Sequence, residues 1–172
     1  MIGPDEFKKG MRRLAAGVSL ITTVKDGVPY GLVATSASAM TSEPPTLLVC
    51  INRSASCHDQ ISEAGIFCIN VLEQEDVALA ALFSNSQRRH ERFDEGAWQS
   101  LKTGAPVLQS SAVAFDCVVD KAISYETHTI FIGRIKAMVC KDSDVDPLVY
   151  LNGSFRKLAT EPKPEIGHRA PS

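Results

Sequence analysis

An excess of charge of one sign is the first thing this sequence lacks. Its 172 residues carry 18 Lys and Arg against 20 Asp and Glu, a formal net charge of −2. Binding that lives on phosphate contacts needs clustered, unopposed Lys and Arg, so no nucleic-acid partner is expected. Long apolar runs are missing too. A stretch such as Thr46–Ile51 is far too short to cross a bilayer, and no membrane partner is expected. The opening residues Met1-Ile2-Gly3-Pro4-Asp5-Glu6 show no basic start followed by an apolar stretch. No secretory signal is therefore expected, and the reading is a cytoplasmic chain.

Cysteine is present but unpatterned. Cys50, Cys57, Cys68, Cys117 and Cys140 are odd in number, and no two stand at C-x-x-C spacing. That argues against a disulfide frame and against a zinc ribbon. Cys50, Cys68, Cys117 and Cys140 lie in apolar, strand-like runs, where cysteine behaves as a small buried hydrophobe. The histidines His58, His90, His128 and His168 are scattered, with no carboxylate or thiol at ligand spacing, so no metal is expected. There is no G-x-G-x-x-G, P-loop, G-x-S-x-G elbow or H-E-x-x-H. Cys57 beside His58 suggests a nucleophile and a base, but neighbours on a helix point about 100° apart and rarely pair.

What is there reads as one globular domain. The apolar share of 44% and the charged share of 22% sit at globular averages. A chain of this length buries about two thirds of the surface it exposes when unfolded. Residues 1–158 are read as the domain and 159–172, with its prolines and mixed charges, as a disordered tail. A helix is expected over 5–16, capped by Asp5, with Phe7, Met11, Leu14 and Ala15 on one face and Gly17 at its end. Val18–Val24 reads as a strand that stops at the hairpin signal Asp26-Gly27. Tyr30–Met40 reads as a second strand, ending in the small, hydroxylic run Ala34-Thr35-Ser36-Ala37-Ser38-Ala39. After the rigid Thr41-Ser42-Glu43-Pro44-Pro45, Thr46–Ile51 reads as a strand buried on both faces. Helices are expected over 54–64 and 74–83 and strands over 66–72, 112–119, 129–139 and 148–150, with a polar loop over 84–104. About seven strands joined mostly by short turns, with two or three helices, favour a mainly β fold, an antiparallel barrel with peripheral helices.

Two hydroxyl-rich stretches carry the functional signal. Thr35-Ser36-Ala37-Ser38 is either an edge strand with solvated hydroxyls or a wall where small side chains let a flat, polar-edged ligand approach. Asn52-Arg53-Ser54-Ala55-Ser56 opens a helix directly after a buried strand. It is either an N-cap by Ser54 or an anion site made of helix N–H groups, two hydroxyls and Arg53. Together they suggest a ligand with a phosphate at one end and a polar-edged ring at the other. The basic cluster Arg88-Arg89-His90-Arg92 is either a solvated loop or a phosphate or diphosphate contact.

These residues carry a resemblance. Tyr30–Ala37 and Pro44–Ser56, then Phe67–Leu72, Glu91-Arg92-Phe93, Thr103–Leu108, His128–Gly133, Pro147–Tyr150 and Phe155-Arg156, resemble in order the flavin reductase component of two-component flavin-dependent monooxygenases. Val33–Pro45 most resembles the 4-hydroxyphenylacetate monooxygenase reductase group. The resemblance implies an FMN-binding split barrel, a homodimer, and reduction of free FMN or FAD by NADH or NADPH for a partner monooxygenase. By position it implies that Thr35, Ser36, Ala37 and Ser38 line the isoalloxazine. Asn52, Ser54 and Ser56 would hold the ribityl phosphate with Arg92 as charge partner, His128 would sit by the nicotinamide, and Phe155 and Arg156 would close on the flavin. Cys57 and Ala37 depart from the family, which often carries Thr and an aromatic there. Hydride transfer from nicotinamide C4 to flavin N5 needs no metal, acid or base, only stacked rings held close. The alternatives on the same fold are a non-catalytic flavin carrier or redox sensor, and a flavin-dependent corrinoid reductase.

Overall fold

The computed structural model describes residues 2–159. The tail expected from 159 onward lies, apart from Ala159, outside the described residues. One seven-stranded antiparallel sheet dominates. Its strands are β2 (Ser19–Lys25), β3 (Val28–Ala34), β4 (Ser38–Ser42), β5 (Pro45–Asn52), β6 (Ile66–Val71), β9 (Val113–Tyr125) and β10 (His128–Cys140). They lie in the order β3-β2-β6-β9-β10-β5-β4. Short strands β1 (Ala16–Gly17), β11 (Val149–Leu151) and β12 (Ser154–Arg156) form a second sheet, and β7 (Trp98–Ser100) pairs with β8 (Pro106–Leu108). Three α-helices, α1 (Pro4–Met11), α2 (His58–Ala64) and α3 (Val77–Ser84), lie around them.

Local chemistry accounts for the main hairpins. β-branched Ile21, Thr22, Thr23 and Val24 suit a pleated surface. Asp26 and Gly27 both take positive φ, 51° and 77°, as a two-residue turn matched to strand twist requires. Lys25 then faces Val28 and Ser19 faces Ala34. β9 and β10, 13 residues each, turn at Glu126-Thr127 and pair Tyr125 with His128. The tip of that hairpin, residues 120–128, stands exposed.

β2 shows where the core sits. Leu20 packs with Val18, Leu72, Leu79, Phe83 and Leu108 beneath α3. Its neighbour Ile21 packs with Val49, Ile51, Phe67, Phe131 and Ile61 of α2. Successive side chains of a strand face opposite ways, so this wall is buried on both sides. Inside the second cluster, a Cβ at Gly133 would lie 2.3 Å from Phe67 Cζ, so glycine is what lets that ring fill the interior.

Several sequence expectations need correction. The first helix ends at Met11, Gly3 rather than Asp5 is its N-cap, and no residue of α1 is buried. Phe7, Met11 and Leu14 are exposed, and Gly17 belongs to β1. The strand expected over 30–40 breaks at Thr35–Ala37, between β3 and β4. β5 is not buried on both faces, since Leu47, Leu48 and Cys50 are only half covered. Residues 74–76 form a 3₁₀ turn ahead of α3, and the loop over 84–104 contains a 3₁₀ helix, Ser86–Glu91, as well as β7. Cys68 and Cys117 are buried as expected, whereas Cys50 is half-buried and Cys140 exposed. Among the described residues no helix is long and apolar enough to cross a membrane.

Candidate flavin site

The break between β3 and β4 is made by one hydroxyl. Ser36 Oγ donates to the carbonyl of Cys50 at 2.9 Å and accepts the Cys50 N–H at 3.2 Å. A side chain thus stands in for a ladder partner, and the backbone is free to turn away from the sheet. The Ser36 hydroxyl is consumed there and is not left to line a ligand. Ala37 tucks against the inner cluster. Thr35 and Ser38 remain exposed. Thr35 lies beside Tyr150 and Phe155 in a cleft of about 250 Å³, and Tyr150 meets Phe155 edge-on at 5.7 Å. Arg156 is exposed, and its backbone carbonyl accepts from Gln74 Nε2.

The second stretch turns rather than caps. Asn52 Oδ1 accepts both the N–H and the hydroxyl of Ser54 at 2.9 Å, an Asx turn at the end of β5. Helix α2 consequently starts at His58, with Cys57 and not Ser54 in the N-cap position. Arg53 is exposed, and its N–H donates to the carbonyl of Thr127, tying the turn to the β9–β10 tip. Across the sheet Asn52 faces His128. His128 is exposed and its Nδ1 shares a 2.9 Å hydrogen bond with the Thr127 hydroxyl. Cys57 and His58 do not pair: His58 is buried between Asp59 at 2.8 Å and the Thr129 hydroxyl at 2.9 Å. Burial pushes the Cys57 thiol up to about 12 against the pull of the nearby Arg92 charge, so it stays a protonated thiol.

Arg92 holds the third position, and the structure moves it from a polar loop into the interior. It is only 6% exposed. One Nη donates to the Gly31 carbonyl at 2.7 Å and reaches Ser56 Oγ at 3.5 Å, while the other donates to the Asn85 carbonyl at 3.3 Å. The guanidinium lies 5.5 Å from the centre of the Phe83 ring. Glycine at 31 matters here, because a Cβ would come within 2.8 Å of Phe83. Among the described residues no carboxylate pairs with Arg92, and its Nε is buried without a hydrogen-bond partner. Burial first, then the charge of Arg89, lowers its pKa from the ordinary value. A buried, unneutralised cation with a spare donor is costly alone and fits an anionic oxygen such as a flavin phosphate.

The structure therefore brings Ser56 and Arg92 together, sets Asn52 against His128, and gathers Thr35 with Phe155. It commits the Ser36 and Ser54 hydroxyls to bonds within the protein, Ser36 to the Cys50 backbone and Ser54 to Asn52 Oδ1 at the surface. Sequence reasoning did not single out Tyr30 as lining the space beside Arg92. Tyr30 and Phe93 line a cleft of about 490 Å³ that opens beside Ser56 and Arg92. An aromatic just past the Asp26-Gly27 turn was the available signal.

The chain matches the model of the flavin reductase like domain over residues 11–159. It is 41% identical over 155 residues to the FMN reductase (NADH) RutF of Pseudomonas syringae pv. syringae, covering 90% of this chain and 86% of the relative. The RutF of Stutzerimonas stutzeri is 37% identical over 156 residues, 91% of this chain and 89% of its own. Among solved structures, BorF, the flavin reductase component of a bacterial two-component tryptophan halogenase, superposes with a TM-score of 0.84 at 30% identity, covering 92% of this chain and all of BorF. A flavin reductase domain protein from Arthrobacter gives a TM-score of 0.85 at 25% identity, over 93% of this chain and 98% of that one. With its antiparallel split-barrel architecture, the chain belongs to the flavin reductase like domain family and is an oxidoreductase acting on flavin.

Proposed function

We propose that this protein uses NADH to reduce FMN, with FMN as a dissociating substrate, and supplies the reduced flavin to a partner monooxygenase. The observation that carries the reading is the buried Arg92 guanidinium, unneutralised and with an unpaired Nε, beside Ser56. Arg92 and Ser56 bind the ribityl phosphate, and Asn52 and Arg53 flank it. The backbone of Thr35–Ser38 meets the ring edge, and Phe155 with Arg156 covers the outer side. His128 orients the nicotinamide. When bound, the flavin accepts the hydride that leaves nicotinamide C4, so the protein's own work is to hold the two rings in register. Residues 1–158 act as a single flavin-binding unit.

We further propose a cytoplasmic homodimer. Half-covered Leu47 and Leu48 on β5 and exposed Ile123, Tyr125 and Met40 supply an apolar face that a second copy would cover. Sedimentation at assay concentration should give twice the chain mass, and a monomer there removes this part.

NADH oxidation is measured with the purified protein, with and without added FMN. The expected protein is colourless and turns over only when flavin is added. No turnover above a no-enzyme control with either nicotinamide nucleotide and either flavin overturns the reading, and a persistently yellow protein inert to NADH replaces it with a flavin carrier.

A further inference from the structure

We infer that Gln74, 82 residues before Arg156 in the chain, is the positioning residue that holds Phe155 and Arg156 over the flavin. This rests on the proposed reading that the pair covers the outer side of the ring. β12 is three residues long and lies at the edge of its sheet, with β11 as its one strand neighbour among the described residues. It leaves β11 through Asn152 and Gly153, both at positive φ, 53° and 83°. So short a hairpin is marginal on its own in water. Phe155 is its inner anchor, half-buried against the cluster beneath α3. The outer anchor is Gln74, whose Nε2 donates to the Arg156 carbonyl at 2.6 Å.

Gln74 stands on a fixed base. It opens the 3₁₀ turn Gln74–Asp76, which Glu73 and Asp76 close as a reciprocal capping box. Its own N–H donates to the Asp146 carbonyl at 2.9 Å. The buried Glu73 carboxylate accepts the Asp146 N–H at 3.0 Å and pairs with Lys141. The Gln74 side chain therefore reaches β12 from a turn that is itself bonded on both sides. Lys157 adds an ion pair to Asp146 at 3.2 Å, but both groups are largely in solvent and such a pair holds little. Gln74 does not line the cleft that Thr35, Tyr150 and Phe155 share, so it acts on a ligand there only through β12. What it fixes is the Arg156 peptide unit, and with it the direction in which Phe155 and Arg156 leave the strand. A cover held in place before binding loses less freedom when the ring arrives, and that difference appears as affinity.

The test is a set of fluorescence titrations with FMN and riboflavin on the full chain and on Gln74→Met, Gln74→Lys and Phe155→Ala. Gln74→Met keeps the length of the side chain and removes the donor. It should weaken both flavins roughly fivefold, the worth of one hydrogen bond, with the loss read by stopped flow as faster release. Gln74→Lys keeps a donor and should hold both flavins within about twofold. The melting curves of both variants should stay close to that of the unmodified protein. Gln74 is half-buried, and Gln74→Glu, which also lacks the donor, carries the test if Gln74→Met does not fold. A lowered melting temperature with unchanged flavin affinity of the folded protein makes Gln74 structural and overturns the inference. A loss for FMN alone overturns it too, because that places the effect at the phosphate, and so does a loss in Gln74→Lys equal to that in Gln74→Met. Phe155→Ala separates the two levels. Flavin weakened by Phe155→Ala but not by Gln74→Met removes Gln74 and leaves the covering pair in place, whereas no loss in either removes the cover itself.

Discussion

Two buried polar clusters share the β2–β3 wall, and they are closed in opposite ways. Thr22 belongs to one and Gly31 to the other, and the two residues are cross-strand partners. On the Thr22 side every group is answered. Asn70 donates to the Leu20 carbonyl and to Thr22, and accepts the Leu108 N–H at 2.8 Å. Thr22 donates to the Pro106 carbonyl, and Asp116 accepts both the N–H and the hydroxyl of Thr103. On the Gly31 side Arg92 is also buried but keeps an unpaired Nε and, among the described residues, no counter-charge. Ser111 Oγ and Gln60 Oε1 are also unpaired, yet they are neutral and cost far less than a buried charge. The Asn70 cluster completes itself, whereas the Arg92 cluster leaves a donor and a charge unanswered, as the proposed phosphate site requires.

The sharpest way to break the first cluster is Asn70→Ala. It strands the Leu108 N–H and removes two donated bonds at a fully buried site, a loss of about 3 kcal/mol. Denaturant titration should show the fall in midpoint. FMN affinity of the folded fraction should be unchanged, because nothing in that cluster faces the phosphate.

Arg92→Met makes the opposite exchange. FMN affinity should fall by about 2 kcal/mol, roughly 30-fold, with the loss of a charge-assisted contact. Riboflavin, which lacks the phosphate, should bind as before. The stability change should be smaller than that of Asn70→Ala, because removing a buried unpaired cation offsets the bonds lost to Gly31 and Asn85. Equal losses for FMN and riboflavin would make Arg92 a structural residue.

The contrast also explains what the sequence could and could not tell. The strands β2, β5, β6 and β10 were legible because β-branched and apolar residues run together there, and Asp26-Gly27 announces its own turn. β8 and β12 were not, since three residues show no period. The break after β3 and the late start of α2 depend on Ser36 and Asn52 side chains reaching the backbone, and a propensity argument reads those residues only as polar. Arg92 is the harder case. Its environment comes from Gly31, 61 residues away, and from Asn85 and Phe83. From spacing alone it looked like its exposed neighbours Arg88 and Arg89. The resemblance pointed to it, and its burial is visible only in the fold.

His128→Ala should cost less than Arg92→Met. His128 is exposed, so its removal should leave the melting temperature nearly unchanged, within the about 0.5 kcal/mol usual at a surface. If it orients the nicotinamide, the rate of flavin reduction by NADH falls roughly tenfold with FMN affinity intact. Stopped-flow reduction at saturating FMN decides this, and an unchanged rate removes His128 from the site.

The smallest expected effect separates two serines that sequence reasoning treated alike. Ser54 gives its hydroxyl to Asn52 Oδ1 inside the turn, whereas Ser56 Oγ lies 3.5 Å from the Arg92 guanidinium and faces the cleft. A hydroxyl already spent within the protein has little left for a phosphate, while one aimed beside an unneutralised cation does. Ser56→Ala should therefore weaken FMN by about 1 kcal/mol, roughly fivefold, the worth of one hydrogen bond. Ser54→Ala should leave FMN within about twofold, because the Ser54 N–H still holds the turn to Asn52. Riboflavin affinity should respond to neither. Flavin fluorescence titration of the two single variants reads the difference directly. A loss in Ser54→Ala matching that in Ser56→Ala would mean that the turn itself, and not the Ser56–Arg92 pair, shapes the phosphate site.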